Sequence, residues 1–177
     1  TSLLGQLEHG IGSEAILISK DQKVINRVKK EIPKVLKNLP RKNIITKAIR
    51  NNCIMIKAKS DKDIIDSVNL IAPEHLEILA LDSKKILQGI ENAGAIFLGK
   101  WTPEAVGDYL AGPNHTLPTS GNSRFSGSLG VETFMKNTSI IEFNEESLKV
   151  NSLDIINLAK SEGLHSHANS VQIRFED

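Results

Sequence analysis

Four clusters of polar side chains in this chain could do chemistry. Gln6 and His9 sit three residues apart near the start, Glu74 and His75 are adjacent, and Glu104, Asp108 and His115 share the stretch WTPEAVGDYLAGPNHTLPT. Glu162, His165 and His167 lie near the end. Imidazoles with a carboxylate form an ordinary nitrogen/oxygen shell for zinc or a similar divalent ion. Gln6, His9, Asp108 and His167 supply such a set, although a glutamine oxygen is an uncommon ligand and their scatter along the chain proves nothing by spacing. If residues 2–10 are helical, Gln6 and His9 share a face and could grip one ion. The plain alternative for His9 is a surface histidine beside Glu8. Glu74 and His75 could share acid–base work near neutral pH. Against that stands an exposed glutamate next to a hydrogen-bonded histidine. His115, held between two prolines, suits either a positioned site residue or a structural tie for its loop. Glu162 and His167 flank a glycine that ends or bends a helix, and His165 is read as facing solvent.

The elements that must position these groups follow from periodicity. Residues 2–10 read as a helix closed by Gly10. Short apolar runs at 14–19, 53–58, 76–80 and 95–98 read as buried strands. Between them, 21–39, 43–52, 61–71 and 83–90 carry helical spacing. Pro33 is expected to bend the first of these and Pro40 to stop it, and Ser60 or Asp61 to cap the third. Alternating strands and helices predict an α/β domain with a largely parallel sheet. Ligands in such sheets bind at the carboxyl ends of strands, and the stretch from Trp101 follows a strand end. Its density of Pro and Gly predicts a long irregular loop running on to Gly130. Beyond it, 131–136 reads as helix, 139–143 as strand or extended, and 148–162 as a long helix with Ser147 as its cap. Apolar residues on several sides of that helix suggest a segment clamped between surfaces. The division expected is 1–130 for the α/β domain and 131–177 for an arm packed on a partner subunit.

Composition narrows the class of function. The chain has 177 residues, a formal net charge of +1 and 40% hydrophobic residues, enough for one real core. Near-neutral charge gives no reason to expect nucleic acid, and the lysines between Lys20 and Lys62 read as a solvated helical face. No apolar run is long enough to span a bilayer. The one cysteine, Cys53, opens an apolar run and reads as a buried strand residue. It excludes an internal disulfide and fits a reducing, cytoplasmic setting. The chain contains no GxGxxG, P-loop or GxSxG motif. It opens on Thr1 rather than Met, in what reads as mid-helix, so an upstream part is expected.

The strings QLEHG, APEHLEI, NAGAIFLG, WTPEAVGDYLAGPNHTLPTSG and SEGLHSHANSVQIR, in this order and spacing, resemble the carboxyl-terminal part of histidinol dehydrogenase over nearly the whole chain. The resemblance implies an α/β fold, an incomplete Rossmann-like parallel sheet with flanking helices, followed by a mainly helical arm. It implies oxidation of L-histidinol to L-histidine through an aldehyde-level intermediate, with two NAD molecules and one zinc per site. By motif position Gln6, His9 and Asp108 would be zinc ligands, with His167 the fourth from the partner of a homodimer. These four, with His75 and Glu162, would also contact substrate. Glu74 would activate water and His75 would take the alcohol proton. Glu104 and His115 would line the site. Zinc has no redox role, so the hydride must go to the nicotinamide.

The family is over twice this length, and the absent part supplies much of the NAD pocket, so the NAD-binding residues are not assigned and this piece is expected to be inactive alone. Two other readings stay open: a zinc hydrolase or lyase sharing the site, and a non-catalytic dimerisation or zinc-binding module.

Overall fold

The computed structural model describes residues 2–176. It divides into two compact units, Thr1–Phe134 and Met135–Asp177, each considered by itself.

The first unit opens with helix α1 (Ser2–Glu8) and strand β1 (Ala15–Ser19). Helices α2 (Gln22–Leu36) and α3 (Lys42–Asn52) lead to strand β2 (Cys53–Lys57). Helix α4 (Asp61–Ile71), strand β3 (His75–Ile78), helix α5 (Ser83–Leu87) and strand β4 (Ala95–Leu98) repeat the alternation. The class is therefore α/β with parallel strands flanked by helices, as the periodicity predicts. The strands come as two parallel pairs. β1 lies beside β2 with Ala15 opposite Cys53, and β3 beside β4 with His75 opposite Ala95. No described helix is long and apolar enough to cross a membrane.

Local chemistry starts α2 and bounds α4 where expected. The Asp21 carboxylate accepts the Lys23 N–H at 2.7 Å and caps α2, which carries Pro33 within it. Ser60 caps α4: its hydroxyl oxygen accepts the Asp63 N–H at 3.1 Å, and Asp63 Oδ1 accepts the Ser60 hydroxyl at 2.9 Å. One orphan N–H of the first turn is thereby satisfied, and the same Asp63 carboxylate accepts the Lys59 N–H just before the helix at 2.9 Å. At the other end Ala72 adopts a left-handed φ of 51°, and its N–H reaches the Val68 carbonyl at 2.8 Å. That turn and Pro73 aim the chain into β3, so His75 falls on the strand's first residue.

A core forms where α1 and α3 close over β1. Leu7 and Ile45 are fully buried there, with Leu4, Ala15 and Ala48 beside them. Cys53 packs against this cluster half-buried, and burial pushes its thiol above the ordinary value. It is a packing residue, as its apolar neighbours imply.

Several expected boundaries shift. α2 ends at Leu36 instead of Leu39, and β3 covers 75–78 instead of 76–80. α5 stops at Leu87, before Ile90. A distant side chain is the reason for the last: Asn69 Nδ2 donates to the Gly89 carbonyl at 2.9 Å, and Asn69 Oδ1 accepts the Glu91 N–H at 2.8 Å. The backbone groups that would extend α5 are thus held by α4. The largest correction concerns the stretch after Trp101. It is not irregular throughout, because Glu104–Tyr109 folds into helix α6. Gly107, read as a loop former, instead lets that helix approach β4: a Cβ there would lie 2.7 Å from the Phe97 ring. The rest of the stretch is tied down. Arg124 donates to the carbonyls of Leu70 and, at 2.9 Å, Gly121, and the Ser123 hydroxyl donates to the Ala72 carbonyl at 2.9 Å.

In the second unit, helix α7 (Glu145–Ser161) is followed by α8 (His165–Gln172), a helix the sequence reading did not assign. The cap of α7 is Asn144, whose Oδ1 accepts the Ser147 N–H at 2.8 Å, so the cap lies three residues before the expected one at Ser147. Gly163, with φ of 75°, supplies the left-handed residue at the turn, and the Leu164 N–H closes it on the Ala159 carbonyl at 2.8 Å. α7 and α8 pack on each other, with Ala168 and Val171 buried. Residues 131–134 form a 3-10 turn, not the expected helix to Lys136, and 139–143 pair with no strand among the described residues.

Candidate functional site

The site is built from β3 upward. Residues two apart on a strand share a face, so His75 and Glu77 point the same way. The Glu77 carboxylate accepts the backbone N–H of Glu104, the first residue of α6, at 3.0 Å. A helix's first N–H groups have no internal partner, and Pro103, its N-cap, contributes no side-chain bond. Glu77 therefore fixes the α6 start against β3. Gly107 then seats the same helix on Phe97, and the Phe97 ring lies 6.0 Å from the His75 ring, tilted by 33°. The result places Glu104 Oε1 3.7 Å from His75 Nδ1, with the two side chains only 14% and 13% exposed. Both imidazole nitrogens of His75 are buried without a hydrogen-bond partner.

Glu104 and Asp108, four residues apart on α6, line a cleft of about 450 Å³ together with His9 at the end of α1. Glu8, Glu77, Arg41 and Tyr109 complete much of its wall. Four carboxylates against one guanidinium make this cleft a place for a cation. Burial pushes the Glu104 carboxyl above its ordinary value; the His75 imidazole opposes this, and the Asp108 carboxylate adds to it. The carboxylates of 104 and 108 and the imidazoles of 9 and 75 thus feel one another in one place.

Gln6 lies on α1 one turn before His9, and its side-chain oxygen is buried with no partner. An unpaired buried acceptor is costly, and an ion or a donor group from a ligand relieves that cost. The donors of this unit, the Gln6 oxygen, a His9 nitrogen and the Asp108 carboxylate, suit zinc in type and fall one short of its usual four. Among the described residues no group of three His, Cys, Asp or Glu side chains could hold a metal ion. Of the expected set, the first unit contributes only His9 and Asp108 from those residue types.

The other expected residues fall as follows. Glu74 immediately precedes β3; its carbonyl accepts the Ala95 N–H at 2.8 Å, and its side chain is not among those lining the cleft. His115 is exposed in the stretch after α6 and is likewise not part of the lining. Glu162 and His167 belong to the second unit. Glu162 ends α7, and His167 occupies the first turn of α8, where its N–H reaches the Leu164 carbonyl at 3.0 Å. Both are exposed, as is His165. The sequence reading missed Glu77, Arg41 and Tyr109 as neighbours of the cleft. For Glu77 a signal existed: it stands two residues beyond His75 on the same strand. For Arg41 and Tyr109 no local signal exists.

An α/β unit with an acid-rich cleft, and a half-buried imidazole at the start of a strand beside it, carries the groups that cation binding and proton transfer would need. The histidinol dehydrogenase family model matches residues 1–175, and the chain belongs to that family. It is 68% identical over its full length to the histidinol dehydrogenase of Prochlorococcus marinus (strain MIT 9312), covering 40% of that protein. It is 46% identical over its full length to the one of Listeria monocytogenes serovar 1/2a (strain ATCC BAA-679 / EGD-e), covering 42%. The crystal structure of histidinol dehydrogenase from Elizabethkingia anophelis superposes with a TM-score of 0.85 at 31% identity, over 99% of this chain and 40% of that one. The chain thus spans about two fifths of the length of the relatives it matches.

Proposed function

We propose that this chain forms the metal- and substrate-binding part of an enzyme that oxidises L-histidinol to L-histidine with two NAD, in the cytoplasm. The observation that carries the reading is the meeting of His9, Asp108 and Glu104 in one cleft, with His75 behind Glu104 and its two nitrogens unpartnered. Gln6, His9 and Asp108 would hold one zinc, with His167 of the partner subunit as the fourth ligand. When bound, zinc supplies a fixed positive centre that orients a ligand's nitrogen donors.

The chain's own residues do the rest. The acid-rich wall attracts the ammonium of an amino alcohol such as histidinol. His75, whose side chain is only 13% exposed, accepts the alcohol proton while hydride leaves for the nicotinamide. Glu74 activates the water that attacks the aldehyde-level intermediate. Glu162 and His167 contact substrate across a homodimer, and Glu104 and His115 line the site. Support for the homodimer comes from the apolar residues the second unit leaves in solvent: Ile140 is 93% exposed, Ile141 80% and Val150 76%. Exposure on this scale marks a contact surface.

NADH absorbance tests the reading. The intact enzyme is expected to reduce NAD with histidinol, and His75→Asn to lose at least a hundredfold in kcat. Full activity in that variant would end the assignment of His75. The 177-residue piece alone is expected to show no turnover, because much of the NAD pocket lies outside it.

A further inference from the structure

The contact between α6 and β3 carries more than site-lining. Among the described residues the Glu104 carboxylate is the one acidic group in ion-pair contact with His75, and it stands on the Nδ1 side of the ring. Neither ring nitrogen has a hydrogen-bond partner among these residues, and only Nδ1 has a carboxylate near it, at 3.7 Å. Three independent constraints hold Glu104 there: its N–H is bound by Glu77, its helix is seated through Gly107, and the Phe97 ring that receives Gly107 also backs His75. A neutral imidazole carries its proton on one nitrogen, and a neighbouring acceptor decides which. Contacts between catalytic groups are often longer than a hydrogen bond before the reacting complex forms, so 3.7 Å is compatible with this role.

We infer that Glu104 is a positioning residue for His75: its carboxylate accepts the Nδ1–H, so that the imidazole presents an unprotonated Nε2 to the substrate hydroxyl. Glu77 acts one step further back, by setting the start of α6. This rests on the reading of His75 as the proton acceptor. The step balances simply: the alcohol proton passes to Nε2, the ring becomes imidazolium, and the Glu104 carboxylate stabilises that charge. No electrons move in this step, and the hydride leaves separately to NAD.

The test uses Glu104→Ala and Glu104→Gln in the intact protein, with three measurements. The first is the 15N spectrum of the His75 imidazole, which reports the protonated nitrogen without reference to activity. Wild type is expected to show the Nδ1–H form, and Glu104→Ala a mixture containing Nε2–H. Glu104→Gln, whose amide oxygen can still accept, is expected to keep most of the Nδ1–H form. The second is steady-state kinetics: kcat is expected to fall on the order of ten- to a hundredfold in Glu104→Ala, less in Glu104→Gln, with KM for histidinol within about threefold. The third is zinc content per chain, expected to stay at the wild-type value.

A tautomer that does not move in Glu104→Ala overturns the inference, as does zinc loss with an unmoved tautomer, which would make Glu104 a ligand. If Glu104→Ala fails to fold, Glu104→Gln decides by the same spectrum. If wild type itself reduces no NAD with histidinol, the proposed activity has failed, and the spectrum still decides whether Glu104 sets the ring.

Discussion

The two units of this chain solve the same problem differently. The first, ending at Phe134, closes α1 and α3 over β1 and buries Leu7 and Ile45 completely. The second has a 17-residue helix with no buried residue, and leaves Leu153 67% and Leu158 65% exposed. One unit has an interior of its own. The other leaves an apolar surface in solvent, and if self-association covers it, as proposed, its stability should depend on protein concentration. The unit with its own interior holds the cleft, and the other carries Glu162 and His167 exposed on its surface.

The strongest way to break this contrast is core truncation. Leu7→Ala is expected to cost about 2–5 kcal/mol in urea unfolding. Leu153→Ala is expected to change the stability of the isolated chain by under about 0.5 kcal/mol, as an exposed position does, and to weaken self-association seen by sedimentation. Equal effects of the two on unfolding would erase the distinction.

Next come the close approaches that shape the cleft. A Cβ at Gly94 would stand 2.6 Å from the Glu74 carbonyl oxygen, and backbone yields less easily than a side chain. Gly94→Ala should therefore cost about 1–3 kcal/mol. Gly107→Ala also meets a contact, the Phe97 ring, but removes a helical glycine, a gain of about 1 kcal/mol. Its net cost should be the smaller of the two, with its effect falling on substrate KM through displaced Glu104 and Asp108. A larger loss of stability from Gly107→Ala than from Gly94→Ala would reverse that ranking.

Caps sharpen the comparison within the second unit. Asn144→Ala removes the acceptor for the Ser147 N–H and should cost α7 about 1 kcal/mol. Helicity by circular dichroism should fall while the near-ultraviolet signal of the first unit holds. A change in both would mean that the units fold as one.

The smallest effect is acid sensitivity confined to the first unit. The Lys20 ammonium bonded to Asp61 holds that carboxyl below its ordinary value. The Lys59 N–H and the Ser60 hydroxyl do the same for Asp63. A carboxylate whose folded pKa is lowered stabilises the fold above its unfolded value, near 3.9, and that contribution disappears as pH falls through the folded value. Unfolding midpoints should therefore decline on acidification below about pH 4, and Asp63→Asn should flatten part of the slope. An unchanged slope in that variant would remove Asp63 from the account.

Much of the fold is legible in the sequence because its causes are local. The apolar periods of 21–39 and 43–52, the Ser60 cap and the strand runs 14–19 and 53–58 all act within a few residues. The α7 cap was misplaced because Asn144 and Ser147 are both good caps, and only the backbone geometry chooses between them. The order and spacing of GDYLAGPNHTLPT and its companion strings were enough to indicate the family, since so many side chains in register do not coincide by chance.

Tertiary structure alone decided the working geometry. α6 can lie close against β4 because Gly107 leaves room for the Phe97 ring. The Glu77 bond to the start of α6 spans 27 residues, and the Asn69 bond that stops α5 spans 20. Contacts at such separations depend on where packing brings the chain back, and no window of sequence contains them. The residue types for proton transfer and metal binding are written in the chain; the meeting of His9, Glu104 and Asp108 in one cleft is a property of the folded first unit.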